Sequence, residues 1–146
     1  MESVYKFSVV REKVGEFGTS FGVPGDVKNW LAKSLWTEVY QNEDREIFVS
    51  VYVDIKNRVI GWEISAIGTE NCCPVSPPHI FRSALISGAK AIIVVHNHPS
   101  GEVEPSAQDK DMFKRLQEGG EILGINVLDS IIVGGERKAY SLLEDR

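Results

Sequence analysis

Apolar residues recur at two different spacings along the chain, and these spacings predict an alternation of strands and helices. A period of two, or a short β-branched run, predicts strands over residues 4–10, 47–55, 59–67, 91–95, 127–133 and 138–142. A period near 3.6 predicts helices that begin at Asp26, Pro77 and Ala107. Residues 11–25 hold four glycines and one proline without a clear period, so we expect a loop there.

Each predicted helix has one apolar face, which we expect to pack into the core. The faces are Val27, Trp30, Leu31 and Leu35 in the first helix, Ile80, Phe81, Ala84 and Leu85 in the second, and Met112, Phe113 and Leu116 in the third. Gly88 and Gly124 are the expected C-terminal caps of the second and third helices. The pair Gly119-Gly120 predicts a bend or frayed end in the third helix, because glycine is a poor helix former.

The order of these elements favours an α/β fold in which a mixed β-sheet is flanked by helices. Residues 54–57 supply turn residues between two strong strands, which predicts a β-hairpin. A chain of 146 residues is long enough to bury one sizeable core, so we expect a single domain over residues 1–146. Within it, residues 1–25 are expected to form an N-terminal strand and loop.

Charge and composition narrow the functional classes. The formal net charge of -5 argues against a surface for non-specific binding of duplex DNA, although a local basic patch stays open. No apolar run is long enough to span a bilayer, and the N-terminus lacks a signal-peptide core, so the cytoplasm is the expected compartment. The adjacent Cys72 and Cys73 lack the Cys-x-x-Cys spacing of zinc or redox sites and are interpreted as small side chains in a loop.

Two of the three histidines lie together where the strand over residues 91–95 ends. His96 and His98 are two residues apart, and alternate residues of an extended chain point to the same side. Asp109 follows in the expected first turn of the next helix, so the three side chains can meet at one point. Three protein ligands with a fourth position left to water are typical of a catalytic zinc site.

A second interpretation of Ser106 and Asp109 needs no metal. The two residues fit Ser-x-x-Asp, which is close to the capping box at a helix N-terminus. Taken without the histidines, the pair is better explained as a cap. The nearby His-x-His pair shifts the balance towards a metal site.

The same residues resemble the signature of the JAB/MPN+ (JAMM) metalloproteins, His-x-His-x7-Ser-x2-Asp, with His96, His98, Ser106 and Asp109 at its defining positions. The longer stretch over residues 96–109 is similar to the RadC branch of that family, and the resemblance covers roughly residues 27–146. It implies a JAB/MPN-type three-layer sandwich that resembles the cytidine-deaminase fold. It also implies a Zn²⁺ cofactor, held by His96, His98 and Asp109.

The resemblance further implies two catalytic residues. JAMM enzymes take a general base from a glutamate on an upstream strand, and RadC-like sequences place theirs a few residues before a Gly-Thr pair. Gly68-Thr69 is that pair here, so the resemblance assigns the base to Glu63, with Glu70 as the alternative. Ser106 corresponds to the serine that donates a hydrogen bond to the developing oxyanion. This role competes with helix capping for the same hydroxyl.

Three departures from the family pattern concern substrate contacts. The short segment before Asp26 cannot hold the helix-hairpin-helix region of full-length RadC proteins. The usual Val-His-Pro-Arg-Glu is Val-Ser-Pro-Pro-His over residues 75–79, and the usual Leu-Asp-His is Leu-Asp-Ser over residues 128–130. His79 is interpreted as a surface or helix-start residue. The metal ligand set is intact.

The resemblance therefore predicts a zinc-dependent hydrolase of the JAMM metalloprotease type that cleaves a peptide or isopeptide amide of a peptide or protein substrate. Two alternatives remain open. One is an accessory protein of DNA repair or a metal-dependent nuclease, although the acidic charge does not indicate DNA binding. The other is a non-catalytic interaction domain.

Overall fold

The computed structural model describes residues 2–6, 8, 24–69 and 74–144. The helices are α1 (Pro24–Leu35), α2 (Pro77–Ser87) and α3 (Ala107–Leu123), and a π-helical turn (Trp36–Tyr40) follows α1 directly. The strands are β1 (Ile47–Val53), β2 (Val59–Ile67), β3 (Ala91–Asn97), β4 (Asn126–Gly135) and β5 (Lys138–Ser141). No helix in these ranges is both long enough and apolar enough to cross a membrane.

The five strands form one mixed sheet in the order β2-β1-β3-β4-β5. The strands β1 and β2 form the expected antiparallel hairpin, and β1 also pairs antiparallel with β3. The strands β3 and β4 are parallel, because α3 carries the chain back to the same end of the sheet. The prediction of an α/β fold with a mixed sheet is confirmed.

Helices cover both faces of the sheet, which gives three layers. One core lies between the sheet and α1, where Val27, Leu31 and Leu35 pack on alternate residues of β1 and β3. The other core lies between the sheet and the helices α2 and α3. Every residue of β1 and β3 is buried, which explains why both strands are continuous runs of mainly apolar residues in the sequence.

The π-helical turn is fastened to the centre of the sheet by one buried hydroxyl. Oη of Tyr40 lies 3.1 Å from the carbonyl oxygen of Ile47 and 3.0 Å from that of Val95. The first carbonyl belongs to the start of β1 and the second to the end of β3. This contact therefore stabilises the end of strands β1 and β3 from which His96 and His98 project.

Several predicted boundaries are wrong. Residues 4–6 and 8 lie outside any strand, and the rest of the strand predicted over residues 4–10 falls outside the described residues. The helix predicted from Asp26 begins at Pro24, a residue whose fixed φ suits a first helical turn. The strand predicted to reach Ile55 ends at Val53. The strand predicted over residues 127–133 continues to Gly135, so the turn after it lies at residues 136–137.

The predictions for Leu85 and for the end of α3 are also wrong. Leu85 was expected to be buried with its neighbours on α2 but is 54% exposed. The end of α3 is not frayed at Gly119 and Gly120, because the helix continues to Leu123. These glycines provide close approach instead, because a Cβ at Gly120 would lie 2.2 Å from the carbonyl oxygen of Ile125.

Candidate metal centre

The end of β3 is held so that His96 and His98 face the same space. Between them, the side chain of Asn97 points to the neighbouring strand, where its Oδ1 accepts a hydrogen bond from the Ile47 backbone at 2.7 Å. Its amide nitrogen donates to the carbonyl oxygen of Arg45 at 3.0 Å. The alternation of an extended chain then directs both imidazoles away from Asn97, and their ring centroids lie 5.2 Å apart.

Each histidine is fixed by a different neighbour. His96 is 2% exposed. Its ring stacks on the ring of Phe48, and the two ring centroids lie 5.7 Å apart. Nδ1 of His98 lies 2.9 Å from the carbonyl oxygen of Glu102, to which it donates in the tautomer that leaves Nε2 free as a ligand atom. Histidines that bind a metal are commonly oriented by such a hydrogen bond.

Asp109 is positioned by the capping box at the start of α3. Its backbone N–H donates to Oγ of Ser106 at 3.0 Å, and its Oδ2 accepts from the backbone N–H of Ser106 at 2.9 Å. The structure therefore places Ser106 and Asp109 in the cap that the sequence also predicted. The cap fixes the Asp109 side chain towards the histidines rather than taking it away from them.

The three predicted ligand residues converge. Nε2 of His96 lies 3.2 Å from Oδ1 of Asp109, and Nε2 of His98 lies 3.0 Å from Oδ2. One ligand atom from each of the three side chains lies within 4.8 Å of the other two. Ligand atoms that surround a zinc ion at bond lengths of about 2.0–2.2 Å lie closer to one another than this limit.

The chemistry of His96 gives a direct test of whether the residues fit a metal. Both of its ring nitrogens are buried, and neither has a hydrogen-bond partner of acceptable geometry among the described residues. The approach of Nε2 to Asp109 is close but is not a well-formed hydrogen bond. An unpartnered buried nitrogen is costly in a protein interior unless another group satisfies it. A metal ion between His96, His98 and Asp109 would satisfy Nε2, the ring nitrogen of His96 that faces Asp109.

Contacts within this cluster favour the ionised form of Asp109. Burial alone would raise the pKa of Asp109, but its contacts with the two histidines and with the Ser106 backbone hold that pKa far below its usual range. The hydrogen bond with Asp109 raises the pKa of His98 against the opposite effect of burial. Asp109 is therefore ionised, which is the state that binds a cation.

A carboxylate that the sequence analysis did not single out lies beside the cluster. Glu46 lines the same cavity as His96, His98, Ser106 and Asp109. Burial raises the pKa of Glu46, and the histidine charges counteract part of that rise. A raised pKa means that the carboxylate of Glu46 takes up a proton more readily than a solvent-exposed glutamate does.

Glu63 lies elsewhere. Its Oε1 accepts a hydrogen bond from Oη of Tyr52 at 2.5 Å and lies 3.7 Å from Nε2 of His79. It does not line the cavity of the histidines, and Tyr52 lies opposite Ile92, four residues before His96 along β3. The structure thus gives Glu63 a partner away from the cluster. The alternative, Glu70, lies outside the described residues, as do Cys72 and Cys73.

The hairpin shows which sequence signal could have identified Glu46. The Gly68 backbone N–H donates to the carbonyl oxygen of Glu46 at 2.7 Å, so the residue beside the Gly-Thr pair in space is Glu46 rather than Glu63. An antiparallel hairpin brings the start of its first strand next to the end of its second strand. A search for an acidic residue at the start of β1 would have found Glu46.

Comparison with known proteins identifies the family. The family model described as the RadC-like JAB domain matches residues 24–146 of this chain. The chain belongs to the RadC-like JAB domain family. The match covers every described helix and strand and all residues of the candidate metal centre, and it confirms the resemblance seen in the sequence.

Similar proteins carry the name UPF0758 protein. One from Methanosarcina mazei is 40% identical over 116 residues, which is 77% of this chain and 50% of the relative. One from Carboxydothermus hydrogenoformans is 42% identical over 135 residues, which is 92% of this chain and 57% of the relative. One from Desulforudis audaxviator is 44% identical over 113 residues, covering 77% and 49%. The chain spans about half the length of the curated relatives it matches.

Proposed function

We propose that this RadC-like JAB domain is a zinc-dependent hydrolase that cleaves a peptide or isopeptide amide with an activated water molecule. The observation that carries the proposal is the convergence of His96, His98 and Asp109 with unpartnered ring nitrogens on His96. The presence of a half-buried carboxylate, Glu46, in the same cavity supports hydrolysis over simple metal storage.

The proposed ligands are Nε2 of His96, Nε2 of His98 and one carboxylate oxygen of Asp109. Bound zinc supplies Lewis acidity, which polarises a carbonyl group and lowers the pKa of water towards about 7. The second carboxylate oxygen and the capping box keep the Asp109 side chain in place. The hydrogen bond with Glu102 does the same for His98.

Glu46 is the proposed general base. It takes a proton from the attacking water and delivers that proton to the leaving amine nitrogen, so that the amide bond breaks and a carboxylate product remains. A base for this task needs a pKa close to working pH, and burial moves the pKa of Glu46 in that direction. Glu63 is committed to Tyr52 in this structure and is the less favoured candidate.

Ser106 is the proposed oxyanion donor. Its Oγ accepts the Asp109 backbone N–H, and this capping bond uses a lone pair of the hydroxyl but not its proton. The proton is therefore available to donate to an oxyanion in the cavity that Ser106 lines. Capping and catalysis are compatible for one hydroxyl because they use different atoms of it.

The test compares Glu46→Gln with Glu63→Gln in the zinc-loaded chain, assayed by mass spectrometry on a mixture of peptides and isopeptide-linked dipeptides. We expect Glu46→Gln to lower the turnover by about 10²- to 10⁴-fold, the usual contribution of a general base. We expect Glu63→Gln to retain activity within about threefold, since removal of a partly exposed hydrogen-bonded charge away from the reaction costs little. Zinc content is measured in both variants and should not change.

The opposite pattern would contradict the assignment: loss of activity in Glu63→Gln with a fully active Glu46→Gln variant would return the base to Glu63. The two alternative functions stay predictions and have their own readouts. Cleavage of DNA, but not of amides, by the zinc-loaded chain would favour the nuclease. Zinc binding without turnover of either substrate class would favour an interaction domain.

A further inference from the structure

An open groove lies between α2 and α3 on the outer side of the molecule. It has a volume of about 500 Å³, and none of the residues that line it lines the cavity of the metal centre. Its wall on α2 contains Phe81 and Leu85, and its wall on α3 contains Gly119 and Leu123. Leu85 is 54% exposed and Leu123 is 44% exposed. The groove therefore presents an apolar surface to solvent.

The floor of the groove depends on the absence of a side chain at Gly119. A Cβ at this position would lie 2.8 Å from Cε2 of Phe81, so the Phe81 ring lies directly against the backbone of α3. Since residue 119 has no side chain, nothing from α3 fills the groove between Arg115 and Leu123, the lining residues one turn before and one turn after it.

The charges that line the groove are positive. Arg82 and Arg115 are exposed, and neither forms an ion pair with another described residue. Arg45 and Arg58, in contrast, are each paired with a carboxylate close by in the chain. Among the described residues, no carboxylate lines the groove. The groove therefore fits an apolar side chain that is accompanied by a carboxylate, the group that guanidinium pairs with best.

The same end of α3 carries a ridge, Glu118 and Ile122, with this complementary chemistry. The two residues lie one turn apart, and each directly precedes a residue that lines the groove. Ile122 is 86% exposed. Glu118 is also exposed and, within the described part of the chain, has no ion-pair partner. Exposed apolar side chains that adjoin one another, as Ile122 and Leu123 do, are typical of protein–protein contact surfaces.

We propose that this surface is a two-fold interface between two copies of the chain, in which Ile122 of each copy enters the groove of the other and Glu118 faces the other copy's Arg82 and Arg115. A groove and a ridge that lie side by side can be matched twice by one two-fold axis, because each copy supplies both. Burial of Ile122 provides affinity, and the charge pairs set the register. The inference does not depend on the proposed function, since none of these residues belongs to the metal centre.

Sedimentation equilibrium of the full chain measures self-association and needs neither zinc nor turnover. We expect a monomer–dimer equilibrium in the micromolar range, because the outer faces of two helices offer a small interface. Ile122→Gln should weaken the dimer by about 100-fold, since each copy loses one apolar side chain from the contact. Ile64→Gln is the matched control and should leave the dimer unchanged. Ile64 is 44% exposed and pairs with Val49, so it faces the layer of α1 on the opposite side of the sheet.

Charge reversal tests the register while Ile122 stays in place. One variant carries Arg82→Glu together with Arg115→Glu, and the other carries Glu118→Arg. Each variant alone should dimerise at least about tenfold more weakly than the wild type, because like charges meet in both halves of the interface. An equimolar mixture of the two should form a heterodimer about as stable as the wild-type dimer, since opposite charges then meet again in both halves. Circular dichroism confirms that each variant is folded.

Restoration of the dimer in the mixture, with a weak dimer in Ile122→Gln, would support the interface. A wild type that stays monomeric at about 500 μM would overturn it and leave the groove to a different protein or to a lipid surface. A dimer that Ile122→Gln and Ile64→Gln weaken equally would overturn its placement on α2 and α3. A mixture that associates no better than its two components would overturn the pairing of Glu118 with the arginines.

Discussion

Ser106 has an observed structural role, as the N-cap of α3, and a proposed catalytic role. Its side chain accepts the Asp109 backbone N–H at the start of α3, and the same hydroxyl can donate into the cavity. The two roles differ in what they need from residue 106. A cap needs an acceptor or an adaptable backbone, whereas an oxyanion needs the O–H.

Ser106→Gly should separate these roles. Glycine is nearly as good an N-cap as serine, so we expect the free energy of unfolding to fall by only a few tenths of a kcal/mol. Loss of the oxyanion donor should lower kcat by about 10²- to 10³-fold. Urea denaturation and the amide-cleavage assay measure the two quantities. A variant as active as the wild type would restrict Ser106 to the cap.

Asp129 gives a pH dependence that is independent of the metal centre. It is 4% exposed and accepts hydrogen bonds from the backbone N–H groups of Ser130 and Leu143 and from the hydroxyl of Ser141. Burial nevertheless raises the pKa of the Asp129 carboxyl above its ordinary value of 3.8. A raised pKa in the folded state favours the protonated form. Its contribution to stability is therefore present below about pH 4 and is lost as the pH rises through the folded pKa.

Comparison of Asp129→Asn with the wild type tests this sign. Asparagine keeps the shape and one acceptor oxygen but has no charge to bury. The unfolding free energy of Asp129→Asn minus that of the wild type should increase from pH 4 to pH 7, as measured by urea denaturation at several pH values. A difference that decreases over this interval would mean that the three donors outweigh burial.

At the residue scale, the sequence predicted that His96, His98 and Asp109 lie together, but it did not predict the carboxylate beside them. His96, His98 and Asp109 are close in sequence, so a strand followed by a helix start was enough to bring them together. Glu46 is 50 positions before His96, and only the pairing of β1 with β3 places it there. Glu63 matched a spacing in the chain, but spacing does not report which end of a hairpin faces the site.

Among the elements, the loop that joins β3 to α3 depends on close packing against β4. Gly101 has a φ of +82°, and its carbonyl oxygen approaches Gly134 so closely that a Cβ on Gly134 would lie 2.3 Å from it. The same Cβ would lie 2.9 Å from Cγ1 of Val103. This loop also carries Glu102, whose carbonyl oxygen orients His98.

Gly134→Ala should therefore disturb the metal centre from outside it. The loop must move away from β4, which we expect to cost about 1–3 kcal/mol of stability, as overpacking does. Displacement of Glu102 should also lower the affinity for zinc roughly tenfold, which is typical for loss of a group that orients a ligand. Chelator competition measures the zinc affinity.

Gly61→Ala is the control for this substitution. Gly61 also lies in a strand, but a Cβ there meets nothing within 4 Å, so stability and zinc affinity should stay near the wild-type values. Equal zinc affinities in Gly134→Ala and in the wild type would show that the loop does not depend on this contact.

Element boundaries followed the sequence where a local signal fixed them. The positions of β2, of α2 and of the left-handed caps Gly88 and Gly124 agree with the prediction, because turn residues, proline and glycine act within a few positions. The π-helical turn at residues 36–40 and the exposure of Leu85 were not predicted. Both depend on what the element packs against, which local pattern does not contain.

At the scale of the whole molecule, the sheet order places the site. The central strand β3 has β1 on one side and β4 on the other, so residues from three strands meet α3 at a single cavity. The sequence predicted a mixed sheet but no order for its strands. Order depends on long-range pairing, and here the parallel pairing of β3 with β4 follows from the crossover through α3.

The metal content of the purified chain tests the central claim most directly. Elemental analysis is made on the wild type, on His98→Ala and on Asp109→Asn after zinc is supplied and excess zinc is removed. Asp111→Asn is the matched control, because Asp111 lines the same cavity on the same helix but is not part of the three-residue cluster. We predict about one zinc per chain in the wild type and in Asp111→Asn, and its loss from the other two variants. A zinc-free wild type, or zinc retained in both ligand variants, would contradict the account.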